Sequence, residues 1–258
     1  MSLRKTDKIR LTNFANGLRA KFGIQQTQPV SIHQLLRANG IIASFQPLSK
    51  GFEGMAVKLT DNTNGVKRFM LINTSSIYCR QRFTACHELY HLLYQDNFMV
   101  SYDVDDVNNQ TKDNEEYFAD YFARCLLLPI DGIWQQIPES EYKIDTISLA
   151  TVLKIEQNYR CSRSCCLLLR LKEMGVISET VFESFSHNVI RSAVEYGYPI
   201  NLYTPNGCKE LVGDYNVKAR QLYDQGLISQ AKYFSLLKDM GIELRKENCD
   251  GKGESYIS

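Results

Sequence analysis

The sequence lacks any apolar run of eighteen residues, so it predicts no transmembrane helix. Its opening, "MSLRKTDKIRLTNFANGL", has no apolar stretch followed by small residues, so no secretory signal is expected and the chain is read as cytoplasmic. Charge of one sign is also missing. A formal net charge of +1 gives no global attraction to nucleic acid or to a membrane surface. Paired cysteine spacing is absent too. None of the eight cysteines forms a C-x-x-C pair, which argues against a zinc finger and against a disulfide framework. They read as reduced thiols packed like small hydrophobes, Cys79 and Cys86 included. No internal repeat or low-complexity segment is visible.

What is present is an ordinary globular composition, 44% hydrophobic and 23% charged, on a chain of 258 residues, long enough for a substantial core. Residues 7–22 and 31–40 carry helical periodicity, the second starting on the cap candidate Ser31. Three short β-rich runs follow, and "DNTNG" between the second and third predicts a hairpin. "GMAVKL" (54–59) reads either as a sheet edge where an extended peptide can add or as an ordinary sheet strand. Helices are expected over roughly 76–95 and 115–129. The acidic stretch 96–114 between them reads as a loop, a docking place for a basic partner or a plain solvated segment. Asp103, Asp105, Asp106 and Asn108 there do not complete a calcium loop, since its Gly and terminal Glu are missing.

Histidine is scarce, only four in all, yet two stand together in "RFTACHELYHLLY" (82–94). His87 and His91 lie one helical turn apart, so both imidazoles reach one ion, while Glu88 is offset toward a water on it. The bland reading is a core helix with two buried histidines. Two buried imidazoles beside a buried carboxylate would be expensive without a cation. A catalytic zinc takes a third protein ligand. No third His follows at H-E-x-x-H-x-x-G-x-x-H spacing. Glu116 is the first choice, one turn before Asp120, which would accept a hydrogen bond from a ligand imidazole. Glu115 points about 100° away and is expected to be solvated. Glu115 and Asp113 stay open as alternative ligands, because helix starts attract acids for dipole reasons alone.

Together, "RFTACHELYHLLY" and "EEYFADYFARCLLLP" (115–129) resemble the ImmA/IrrE family of metallopeptidases. That family joins R-F-T-x-A-H-E-L-G-H to a later E-x-x-A-N/D-x-F-A-x-x-L-L-x-P. Tyr90 stands where the family usually has Gly, and Cys86 where it has Ala, so Tyr90 is expected to crowd neighbouring strands. The resemblance implies an α+β, zincin-like core of the thermolysin-like branch: a small sheet, the motif helix and a third-ligand helix. It implies a zinc cofactor, with manganese as the alternative metal. It also implies a helix-turn-helix repressor as substrate, cleaved to switch on a mobile element or a stress response.

On this reading Glu88 is the general base of a metallo-endopeptidase. Tyr90, Tyr94, Tyr102 and Arg82 are candidates to steady the oxyanion or touch substrate. Arg82 is equally read as tying its helix to an acidic neighbour.

Composition turns polar near 137–145. The sequence organisation is therefore a peptidase domain at 1–138, a helix-turn-helix-like segment at 139–186, and a helical region at 187–258 with a disordered tail. Lys154, Arg160, Arg163, Arg170 and Lys172 tint the middle segment basic. That keeps open an alternative: a DNA-binding or metal-bearing sensor that cleaves nothing.

Overall fold

The computed structural model describes residues 3–61, 65–96, 98–104 and 114–239. Helix α1 (Lys5–Lys21) leads to α2 (Ile32–Ala38), capped by the Ser31 hydroxyl accepting from the Gln34 amide. Strands β1 (Ile41–Gln46), β2 (Phe52–Asp61) and β3 (Gly65–Asn73) precede the motif helix α3 (Tyr78–Leu93). Strand β4 (Val100–Val104) and helix α4 (Asn114–Leu127) follow, then the short α5 (Ile130–Trp134). The helical remainder is α6 (Leu149–Tyr159), a π-turn (Arg163–Leu168) running into α7 (Leu169–Glu173), α8 (Glu179–Ser186) and α9 (Val189–Glu195). Strand β5 (Glu210–Val212) and helices α10 (Tyr215–Asp224) and α11 (Gln230–Asp239) complete the order.

The five strands form one sheet in the order β4-β2-β3-β1-β5. β2 and β3 make the expected hairpin, Asp61 opposite Gly65. β1 runs parallel to β3, and β5 closes the other side antiparallel to β1. Two expectations change here. Part of the presumed loop 96–114 is strand β4, which pairs with β2 from Val100 opposite Val57 to Val104 opposite Phe52. β2 is therefore an inner strand, and among the described residues β4 and β5 are the two edges. The turn at 62–64, most of the acidic stretch (105–113) and the tail 240–258 lie outside the described residues.

Alternation places Ile41, Ala43 and Phe45 of β1 toward the core. α3 packs on β2 and β3 with one face and on α4 with another, and α4 in turn packs on α1. The motif helix is thus enclosed between sheet and helices, giving a zincin-like α+β core with a helical C-terminal region.

Two compact units emerge, Met1–Gly213 and Asp214–Ser258. The sequence boundaries near 138 and 186 fall inside the first. The reason is burial: Leu167, Leu168 and Leu171 join the same apolar cluster as Leu11, Leu35 and Leu89. In the second unit α10 packs on α11, with Tyr223 stacked on Tyr233 at 5.0 Å.

The helix pair α6–α7 has the expected shape, but its basic residues divide. Arg163 is fully desolvated, paired with Glu156 at 2.9 Å and donating to the Ser192 hydroxyl. Arg170 is buried and donates to the Leu128 carbonyl. Lys172 pairs with Glu179. Arg163 and Arg170 thus serve contacts inside the protein, while Lys172 makes its pair at the surface.

Candidate metal centre

α3 is buried over most of its length because Ala85, Leu89 and Leu92 pack inward. Its start is pinned by Gln81, whose amide donates to the Ser76 carbonyl (2.7 Å) and to Asn206 Oδ1 (3.1 Å). His87, Glu88 and His91 are carried inside with it, at 2%, 0% and 1% exposure. Buried ionisable groups at this density require strong partners.

α4 supplies them. Glu116 Oε2 lies 3.1 Å from His87 Nε2, and Oε1 lies 3.4 Å from His91 Nε2. The two Nε2 atoms are 3.1 Å apart. Ligand bonds of about 2.0–2.2 Å in a tetrahedral zinc site put ligand atoms roughly 3.3–3.6 Å apart. The three side chains converge with close to that spacing, so they fit a small divalent cation. Among the described residues they form a group able to hold a metal ion.

The surroundings favour positive charge at this point. Burial alone would depress the His87 pKa, but hydrogen bonds to Asp120 and Glu116, with the charges of Asp120 and Glu88, outweigh it and raise it to about 10. Burial, then the neighbouring His87 charge, lowers the His91 pKa. For Glu116, burial pushes upward, but the bond to His87 and both imidazole charges prevail and hold it below the usual carboxylate range.

Each imidazole is also oriented from behind. His87 Nδ1 lies 2.9 Å from Asp120 Oδ1, the partner read from the one-turn spacing of Glu116 and Asp120. His91 Nδ1 bonds Gln95 Oε1, a contact the sequence reading missed. Its only signal was the four-residue step from His91 to Gln95. With both Nδ1 atoms so occupied, a bound cation would take the Nε2 lone pair of each imidazole, displacing the proton that His87 Nε2 otherwise shares with Glu116. Asp120→Ala is expected to weaken metal affinity 10–100-fold, measured by competition with a chromogenic chelator. Unchanged affinity would deny Asp120 that role.

The other candidates sit elsewhere. Tyr90 does not press on the strands: its ring packs on Phe122 of α4 and its hydroxyl donates to Glu115 Oε2 at 2.8 Å. A large side chain is tolerated at this position because it fills the α3–α4 seam. Glu115 is accordingly a partner of Tyr90, not a freely solvated acid. Tyr94 stacks on Phe14 at 4.4 Å, its hydroxyl directed at the Phe14 carbonyl. Among the described residues, Arg82 ties α3 to no acid. It donates to the Arg160 carbonyl (3.0 Å) and the Val30 carbonyl (2.9 Å). Tyr102 stands on β4 opposite Met55, and its side chain, like Asp113, lies outside the described residues. Burial pushes the Cys79 and Cys86 thiols up to about 12, so both remain protonated packing groups.

Among the described residues, no helix is long and apolar enough to cross a membrane. No curated protein matches the chain. Residues 47–164 match the family model of the IrrE N-terminal-like domain, peptidase M78, a span that runs from before β2 into the π-turn and contains the whole His87–His91–Glu116 cluster. The match covers residues 47–164 alone, and supports an ImmA/IrrE-type metallopeptidase domain there.

Proposed function

We propose that the chain is a zinc-dependent endopeptidase whose substrate is a helix-turn-helix transcriptional repressor, cleaved to derepress a mobile element or a stress response. The observation that carries the peptidase chemistry is the convergence of His87 Nε2, His91 Nε2 and Glu116 within one ligand sphere. Two imidazoles and one carboxylate are a catalytic zinc set, whereas structural zinc is closed by four protein ligands. Zinc held there supplies a Lewis acid for the scissile carbonyl and an acidified water. Glu88, fully buried beside His87, takes the proton from the attacking water and returns it to the leaving amine. Asp120 and Gln95 hold the imidazoles in place. The open edge of β4 supports a substrate bound in extended form, its backbone adding to the sheet.

The repressor assignment rests on the resemblance of the paired motifs. Its test is a comparison of new protein N-termini in cells producing the wild-type chain or Glu88→Gln. New termini inside a helix-turn-helix protein, present only with the wild type, are expected. Cleavage confined to proteins without a DNA-binding domain would overturn the substrate but not the chemistry.

A further inference from the structure

A cavity of about 450 Å³ lies in the first compact unit, away from the metal centre. It opens at the other end of α3, where Tyr78, Gln81 and Arg82 meet α2, the end of α6 and the segment before β5. Its volume is that of a small-molecule site. Its lining includes the apolar side chains of Val30, Ile32 and Phe45. It also includes cationic and hydrogen-bonding groups, Arg82, Arg160 and Asn206 among them.

Arg160 is the unusual member. It caps α6 in the left-handed conformation (φ 53°, ψ 49°), a position that ordinarily selects glycine. Its carbonyl is used, accepting from Arg82 Nε, but any residue supplies a carbonyl. Its exposed guanidinium has no hydrogen-bond or ion-pair partner among the described residues. A strained backbone holding an uncommitted cation over a cavity is an arrangement that folding alone does not explain. The acid in the lining, Glu210, lies beside His33 at 3.6 Å, which leaves the two arginines as the dominant charge.

We propose that this cavity binds a small organic anion, its carboxylate or phosphate taken by Arg160 with Arg82 behind it and its body lying against Phe45 and Ile32. Guanidinium groups match both anions by paired, charge-assisted hydrogen bonds. Because Arg82 also clamps α3 to the Val30 and Arg160 carbonyls, the site sits on the helix that carries His87 and His91. The proposal does not depend on the peptidase reading.

The test is calorimetric titration of the metal-loaded full chain with phenyl phosphate, benzoate and phenol as probes. One equivalent of phenyl phosphate or benzoate is expected to bind with a sub-millimolar Kd, and the probe that binds identifies the anion. Phenol is expected not to bind. Arg160→Gln and Arg160→Gly are each expected to weaken binding at least tenfold. Arg160→Gly should melt no lower than wild type, since it relieves the left-handed strain and keeps the carbonyl for Arg82. Three results would overturn the proposal: no binding of either anion at several millimolar, binding unchanged in both variants, or phenol binding as tightly as the anions. Unchanged binding in the variants would place the anion elsewhere, the metal included.

Discussion

Glu88→Gln is expected to keep about one metal ion per chain and to lose peptide hydrolysis by about 10²–10⁴-fold, the usual contribution of a positioned general base. The amide keeps the shape of the carboxylate in a site where Glu88 has no exposure, so packing in α3 is preserved. His87, His91 and Glu116, the group able to hold the cation, are untouched. What is lost is the ability to accept a proton. The neighbouring carboxylates do not substitute readily: Glu116 is engaged by both imidazoles and Asp120 by His87 Nδ1. Cleavage of a peptide mixture, followed by mass spectrometry, measures the loss. Wild-type activity in Glu88→Gln with metal bound would move proton transfer to another group.

Gly132→Ala is expected to destabilise the fold by about 3 kcal/mol or more, the upper range for a residue forced into a full core. A β-carbon at this point of α5 would lie 2.1 Å from the Gln26 carbonyl oxygen and 2.3 Å from the Tyr159 hydroxyl. Neither atom is free to retreat. The Tyr159 hydroxyl donates to that carbonyl at 2.8 Å. The buried Arg19 guanidinium gathers the carbonyls of Gln25, Gln28 and Leu126 around the same loop. Displacing Gln26, whose carbonyl also faces Arg19 at 3.5 Å, therefore disturbs an arginine held by backbone carbonyl dipoles. Urea unfolding of the two proteins checks this. A midpoint within error of wild type would mean that the loop yields more easily than its hydrogen bonds indicate.

The His87–His91–Glu116 cluster was legible because it obeys helical arithmetic. His87 and His91 are four residues apart, as are Glu116 and Asp120, and each pair must share a helix face whatever surrounds it. The β2–β3 hairpin was legible for a similar reason, its turn residues lying between two β-forming runs. What the sequence hid depends on distant partners. β4 lies in a polar, acidic stretch and becomes a strand only by pairing with β2. That pairing is also why "GMAVKL" is not the edge. β5 adds to β1 across some 170 intervening residues, with no local signal for the match.

Buried arginines were the other blind spot. Arg19, Arg82, Arg163 and Arg170 look like surface residues in a helical pattern, yet each lies in the interior. Three of them donate to backbone carbonyls that other elements leave without an intrahelical partner. A carbonyl acceptor leaves no mark in a side-chain pattern. This explains why Arg82 was assigned an acidic partner, and why Arg163 and Arg170 looked like a basic surface. Tyr90 was misjudged for a related reason: its orientation toward α4 depends on Glu115 and Phe122, not on its own helix.

The central claim is a three-ligand metal site closed by Glu116. It is tested most directly by bound metal per chain in the wild type and in Glu116→Ala, with Glu115→Ala as the control. The site predicts about one zinc ion in the wild type, loss of it in Glu116→Ala, and retention in Glu115→Ala, whose carboxylate serves only the Tyr90 hydroxyl. A folded wild type that takes up no metal after zinc is added back would contradict it. So would a Glu116→Ala chain that still binds one equivalent as tightly as the wild type.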